Sequence, residues 1–181
     1  MRRSEVLALR WSDVDLLSSQ ISVSRSIHQL HDGSFIFRQP KSAKGRRTVA
    51  LSPTTTQVLR EHREKTATER LLDGSILRES DLVFSKSDGL PIRPNTITRA
   101  WSDMAKKCGI KASRLHDARH SHASIMLKAG VHPRIVQERL GHSTIAVTLD
   151  TYSHVAPGLQ EAAAKRFDDI LQLAHNENAI K

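Results

Sequence analysis

Three glycines punctuate the second half of this chain, and they constrain its fold more than any other feature. Asn95 to Cys108 reads as a helix stopped by Gly109, His116 to Ala129 as one stopped by Gly130, and Pro133 to Leu140 as one stopped by Gly141. A helix commonly ends where one residue turns left-handed, a conformation glycine reaches without steric cost. A longer helix comes first, with Ser52 at the N-cap position and Pro53 at the first helical position, running to about Leu72. Two further helical segments cover Thr144 to His154 and Gly158 to Ala174.

The front of the chain has a different rhythm. Arg3 to Trp11 predicts a short amphipathic helix, and a domain seldom starts inside one, so further sequence is expected in front of it. Val14 to Ile27 alternates in part and reads as a strand. Phe35 to Phe37 reads as a second strand after the Asp32-Gly33 turn signal, and Arg47 to Leu51 as a third. Together they predict an antiparallel meander. Leu82 to Phe84 with Asp88-Gly89 suggests a minor hairpin. Strands first and helices afterwards define an α+β class: a mostly helical domain with a small three-stranded antiparallel sheet near the N-terminus.

With 181 residues, 38% of them hydrophobic and 26% charged, the chain can bury a core without staples. A single cysteine, Cys108, excludes a disulfide framework and a multi-cysteine zinc site. No apolar run approaches the roughly 20 residues that span a bilayer, and no secretory leader is evident, so no membrane association is expected. Lys and Arg number 28 against 19 Asp and Glu, a formal charge of +9, which favours a polyanionic partner such as nucleic acid.

Three clusters could carry chemistry. In Leu115-His116-Asp117-Ala118-Arg119, the histidine and arginine are three apart and share a helix face, an arrangement suited to gripping a phosphoryl group. Taken alone, it reads more readily as a capping histidine and a solvated arginine. His116 and His120 are four apart, but no H-E-x-x-H glutamate accompanies them, so metal is not expected. Leu140-Gly141-His142 is followed ten positions on by Tyr152, the one tyrosine of the chain, set among small polar residues. Between Phe37 and Thr48 fall Arg38, Lys41, Lys44, Arg46 and Arg47 without an acid, which suits a loop lying along a phosphate backbone or a solvated hairpin tip.

Taken in order, these positions resemble the catalytic domain of the tyrosine recombinases, the phage integrase family, over nearly the whole chain. The resemblance makes Arg2 the first catalytic arginine and Glu5 its acidic support. It makes Lys41 the hairpin lysine, His116 and Arg119 the H-x-x-R box, His142 the following box, and Tyr152 the nucleophile. It implies a DNA strand-breaking and rejoining enzyme working through a 3′-phosphotyrosine, without metal or nucleotide cofactor. The family's core-binding domain has no counterpart here, so residues 1–181 are expected to be an N-terminally truncated catalytic domain.

Lys44, Arg46, Arg47, Arg93, Asn95 and Arg99 are the expected DNA contacts. Residues 157–175 form an amphipathic stripe that the family docks on a neighbouring subunit, implying a tetramer on double-stranded DNA in a bacterial cytoplasm. The alternatives are a non-catalytic DNA-binding module, an inactive integrase fragment, or a histidine-based metallohydrolase.

Overall fold

The computed structural model describes residues 1–39, 45–110, 114–152 and 159–179, with the side chains of 150–152, 159–160 and 173–179 excepted. The element order is α1 (Arg3–Val6), a 3₁₀ turn (Trp11–Asp13), β1 (Val14–Asp15), β2 (Gln20–Val23), β3 (Ser26–Gln29), β4 (Phe35–Arg38), β5 (Arg47–Ala50), α2 (Pro53–Leu72), α3 (Pro94–Lys107), α4 (Leu115–Lys128), α5 (Pro133–Leu140), α6 (Ile145–Tyr152) and α7 (Leu159–Ala179). The fold is α+β, dominated by helix, with one small three-stranded antiparallel sheet.

That sheet has the order β1-β2-β5, and a separate hairpin pairs β3 with β4. The expected meander is therefore two ladders, because the strand read from Val14 to Ile27 is broken twice. Asp15 accepts hydrogen bonds from the N–H groups of Leu17 and Ser18, and Ser19 takes a positive φ of 54°, so the chain doubles back at once. At Ser24 and Arg25 it turns again, with both side chains donating to Asp13. β5 then lies against β2 with Ile21 opposite Val49, while Ile27 pairs with Phe37.

The first helix is one turn long rather than extending to Trp11. The backbone of residues 9–12 is engaged elsewhere: Trp11 N–H donates to the Asp81 carbonyl, Ser12 N–H to Glu79, and Val83 N–H to Leu9. This strand-like pairing wins over helical periodicity because it seats Leu9 and Trp11 beside Ile21, Val49, Leu59 and Val83 in the main core. The hairpin expected at Leu82 to Gly89 is reduced to isolated bridges and a tight turn from Lys86 to Leu90.

From Ser52 onwards the helices fall where local chemistry places them. The Ser52 hydroxyl accepts from Thr55 N–H. A second core, Ala123, Leu127, Val136 and Leu140, binds α4 to α5. Among the described residues no helix is long and apolar enough to cross a membrane.

Candidate active site

The site forms around the C-terminal end of α5. Gly141 takes φ 69° and ψ 43°, the left-handed cap that turns the chain out of the helix. The last carbonyls of a helix lack intrahelical donors and carry the negative end of its dipole. Here three successive ones each accept from a different arginine. Arg139 O accepts from Arg47 Nε at 3.1 Å, Leu140 O from Arg119 Nη2 at 2.6 Å, and Gly141 O from Arg2 Nη2 at 3.1 Å.

Glu5 organises two of these guanidiniums. Its carboxylate accepts from Arg2 N–H at 2.6 Å, Arg2 Nη1 at 2.9 Å, and Arg47 Nη2 and Nη1 at 2.8 and 3.2 Å. Burial alone would raise the Glu5 carboxyl pKa, but the hydrogen bonds from Arg47 and Arg2 outweigh it and bring it down to about 2. Arg2 remains 47% exposed at its side chain, whereas Arg47 is 6% exposed. Three guanidiniums around one described carboxylate leave the cluster cationic.

Arg47, expected from the sequence among the DNA contacts, differs from the other described ones in its surroundings: its fork meets Glu5 and the end of α5, and its side chain is buried. Arg139, which the sequence did not single out, ties α5 to the sheet by donating to the Ala50 carbonyl at 2.7 Å, and to α4 by donating to His122 Nε2 at 3.3 Å.

The histidines approach the cluster from two sides. His142 follows Gly141 directly, and its Nδ1 lies 2.9 Å from the Thr148 hydroxyl. Burial, and then the charges of Arg119 and Arg2, push its pKa down to about 4. Gln137 fixes the His142 backbone through His142 N–H to Gln137 O and Gln137 Nε2 to His142 O, both at 3.1 Å. His116 is exposed on the first turn of α4, one turn before Arg119. Its pKa is lowered by partial desolvation, then by His120, whose ring meets it edge-on at 4.7 Å, and by Arg119. A cleft of about 680 Å³ is lined by Arg2, Thr98, Arg114, His116, Arg119 and His122.

Arg2, Glu5, Arg119 and His142 thus come together, with His116 on the same cleft. Lys41 and Lys44 lie outside the described residues. Tyr152 closes α6, which starts three residues after His142, and its side chain lies outside the description. Arg46 is exposed and hydrogen-bonded to Gln39. Arg93, Asn95 and Arg99 are exposed at the start of α3, away from any described hydrogen bond to the cluster. Gln137 and Thr148 were missed, although Thr148 precedes Tyr152 by four residues and so shares its helix face.

Known structures place this fold among the catalytic domains of tyrosine recombinases. The Tn1549 transposon integrase, residues 82–397, in complex with a circular intermediate DNA, superposes with a TM-score of 0.75 at 22% identity, covering 92% of this chain and 54% of that one. The XerA recombinase gives a TM-score of 0.67 at 25% identity, with 91% and 53% covered. The sequence narrows the class to a family. The chain belongs to the phage integrase family, whose model matches residues 1–158. Among curated relatives, the ICEBs1 integrase of Bacillus subtilis is 33% identical over 172 residues, 94% of this chain and 46% of that protein. A XerC-like tyrosine recombinase of Caldanaerobacter subterraneus is 28% identical over 181 residues, with the same coverage. The chain spans about half the length of these relatives.

Proposed function

We propose that residues 1–181 form the catalytic domain of a site-specific DNA recombinase that cleaves and rejoins strands through a 3′-phosphotyrosine. The observation that carries this reading is the convergence of Arg2 and Arg119 on adjacent carbonyls at the end of α5, beside His142 and one turn from His116. A preorganised pair of guanidiniums is what a phosphodiester gathering charge on its two non-bridging oxygens requires.

In this reading the Tyr152 oxygen attacks phosphorus. A bond from Oη to phosphorus forms, and the bond from phosphorus to the 5′ oxygen breaks. The phenol, with an ordinary pKa near 10, must lose its proton, and His116 accepts it. The lowered pKa of His116 keeps its imidazole neutral near pH 7, as a general base must be. Arg2 and Arg119 neutralise the charge growing on the non-bridging oxygens, and His142 donates to the same oxygens. Lys41 protonates the departing 5′ oxygen. The phosphotyrosine keeps the energy of the broken linkage, so attack by another strand's 5′ hydroxyl reverses the step.

Arg46, Arg93, Asn95 and Arg99, all exposed, are assigned to phosphates along the duplex with Lys44, in keeping with the excess of 28 cations over 19 anions. On α7 the exposed Phe167, Ile170 and Leu171 suit docking on a second subunit. The test is a nicked suicide duplex incubated with the protein carrying this chain. A covalent protein–DNA adduct is expected, and Tyr152→Phe removes it. An adduct that survives in Tyr152→Phe overturns the assignment.

A further inference from the structure

α6 is seated in an unusual way. Over residues 145–149 its apolar side chains, Ile145, Val147 and Leu149, are exposed, and the buried one is Thr148, at 0% exposure. A fully buried hydroxyl is costly unless it is hydrogen-bonded, and a valine of the same shape would fill the space more favourably. The hydroxyl instead sits 2.9 Å from His142 Nδ1.

The His142 backbone is already held from both sides by Gln137, so the Thr148 contact acts on the ring itself. With a pKa near 4 the imidazole is neutral at pH 7 and carries one proton. For such a ring to donate to a phosphoryl oxygen through Nε2, the proton must be there and Nδ1 must accept. A hydroxyl that donates to Nδ1 enforces that tautomer. Thr148 also precedes Tyr152 by one helical turn, so the same bond ties the helix bearing the nucleophile to the residue that grips the phosphate.

We infer that Thr148 is a positioning residue: its hydroxyl donates to Nδ1 of His142, holds the ring as the Nε2–H tautomer, and anchors α6 to the phosphate-binding cluster. The functional part rests on the recombinase reading above; the tautomer does not.

Two measurements on the protein carrying this chain test it. Long-range ¹H–¹⁵N spectra at pH 7 should show His142 of the wild type and of Thr148→Ser as the Nε2–H form, and Thr148→Val as a mixture. An Nδ1–H ring in the wild type, or no change in Thr148→Val, overturns the inference whether or not the protein cleaves DNA. In single-turnover cleavage of a nicked duplex, Thr148→Val should be slower by about 10–100-fold, with DNA affinity and thermal stability retained and Thr148→Ser close to wild type. Equal rates for wild type and Thr148→Val, or equal losses in Ser and Val, also overturn it. If the wild type forms no adduct at all, the recombinase reading fails, and the spectra still decide the tautomer.

Discussion

Arg47 and Glu5, 42 residues apart in sequence, meet in a buried two-pronged ion pair at 2.8 and 3.2 Å, and through it the sheet, α1 and the end of α5 are joined at one point. Arg2 takes the remaining side of the same carboxylate. The residue proposed to face the scissile phosphate is thus oriented by a carboxylate that is itself held from inside the fold.

Removing that carboxylate strands Arg47, which has almost no contact with water. Glu5→Ala should lower stability by about 3–5 kcal/mol, the usual cost of leaving one member of a buried pair uncompensated. Urea denaturation measures it, and a loss under about 1 kcal/mol contradicts the strut role.

Acid should weaken the fold in two successive windows. The ordinary His142 pKa of 6.5 falls to about 4 in the folded protein, so the unfolded chain takes up the proton first and stability declines from pH 6.5 to about 4. Glu5, lowered from 4.5 to about 2, contributes stability above pH 4.5 that is lost as pH drops toward 2. His116 and His122, also lowered from 6.5, add to the upper window, so His142→Asn should shrink it without abolishing it and leave the lower one, as followed by thermal melts across pH.

Gly141 is constrained twice. Its φ of 69° disfavours any side chain, and a Cβ there would lie 2.7 to 3.1 Å from the Arg47 guanidinium. Gly141→Ala should cost more than the roughly 1–2 kcal/mol of left-handed backbone alone. In an Arg47→Ala background the excess should vanish, which a double-mutant cycle reads directly.

Much of this arrangement was legible because it is local. Ser52 and the glycines at 109, 130 and 141 set helix ends through their own backbone preferences, and Arg2 with Glu5 are three apart on one turn. What escaped depends on distant partners. Residues 9–12 leave the helix to pair with residues 79–83, and Arg47 reads as one more cation in a basic run until Arg139, 92 positions later, supplies its carbonyl. The Thr148–His142 bond is likewise invisible without the turn that Gly141 makes.

Arg47 and Arg93 should accordingly behave as opposites in DNA binding. Arg93→Ala should reduce the slope of log affinity against log salt by about one while leaving thermal stability unchanged. Arg47→Ala should lower stability and leave that slope near wild type. Filter binding across salt, paired with melting curves, separates them.

Lysine cannot reproduce the fork of Arg119, which reaches Leu140 O from a side chain with little solvent access. Arg119→Lys should bind a nicked duplex nearly as well as wild type and cleave it slower by about 100-fold or more, the scale of losing a preorganised donor. Single-turnover cleavage at saturating protein measures this.

The central claim is tested most directly by finding the atom that holds the DNA. Protein trapped on a nicked duplex is digested, and the nucleotide-bearing peptide is identified by mass spectrometry. The account predicts one modified residue, Tyr152, joined to a 3′ phosphate with a free 5′ hydroxyl released. A link through another residue, a 5′-phosphoryl adduct, or cleavage without any covalent intermediate would contradict it.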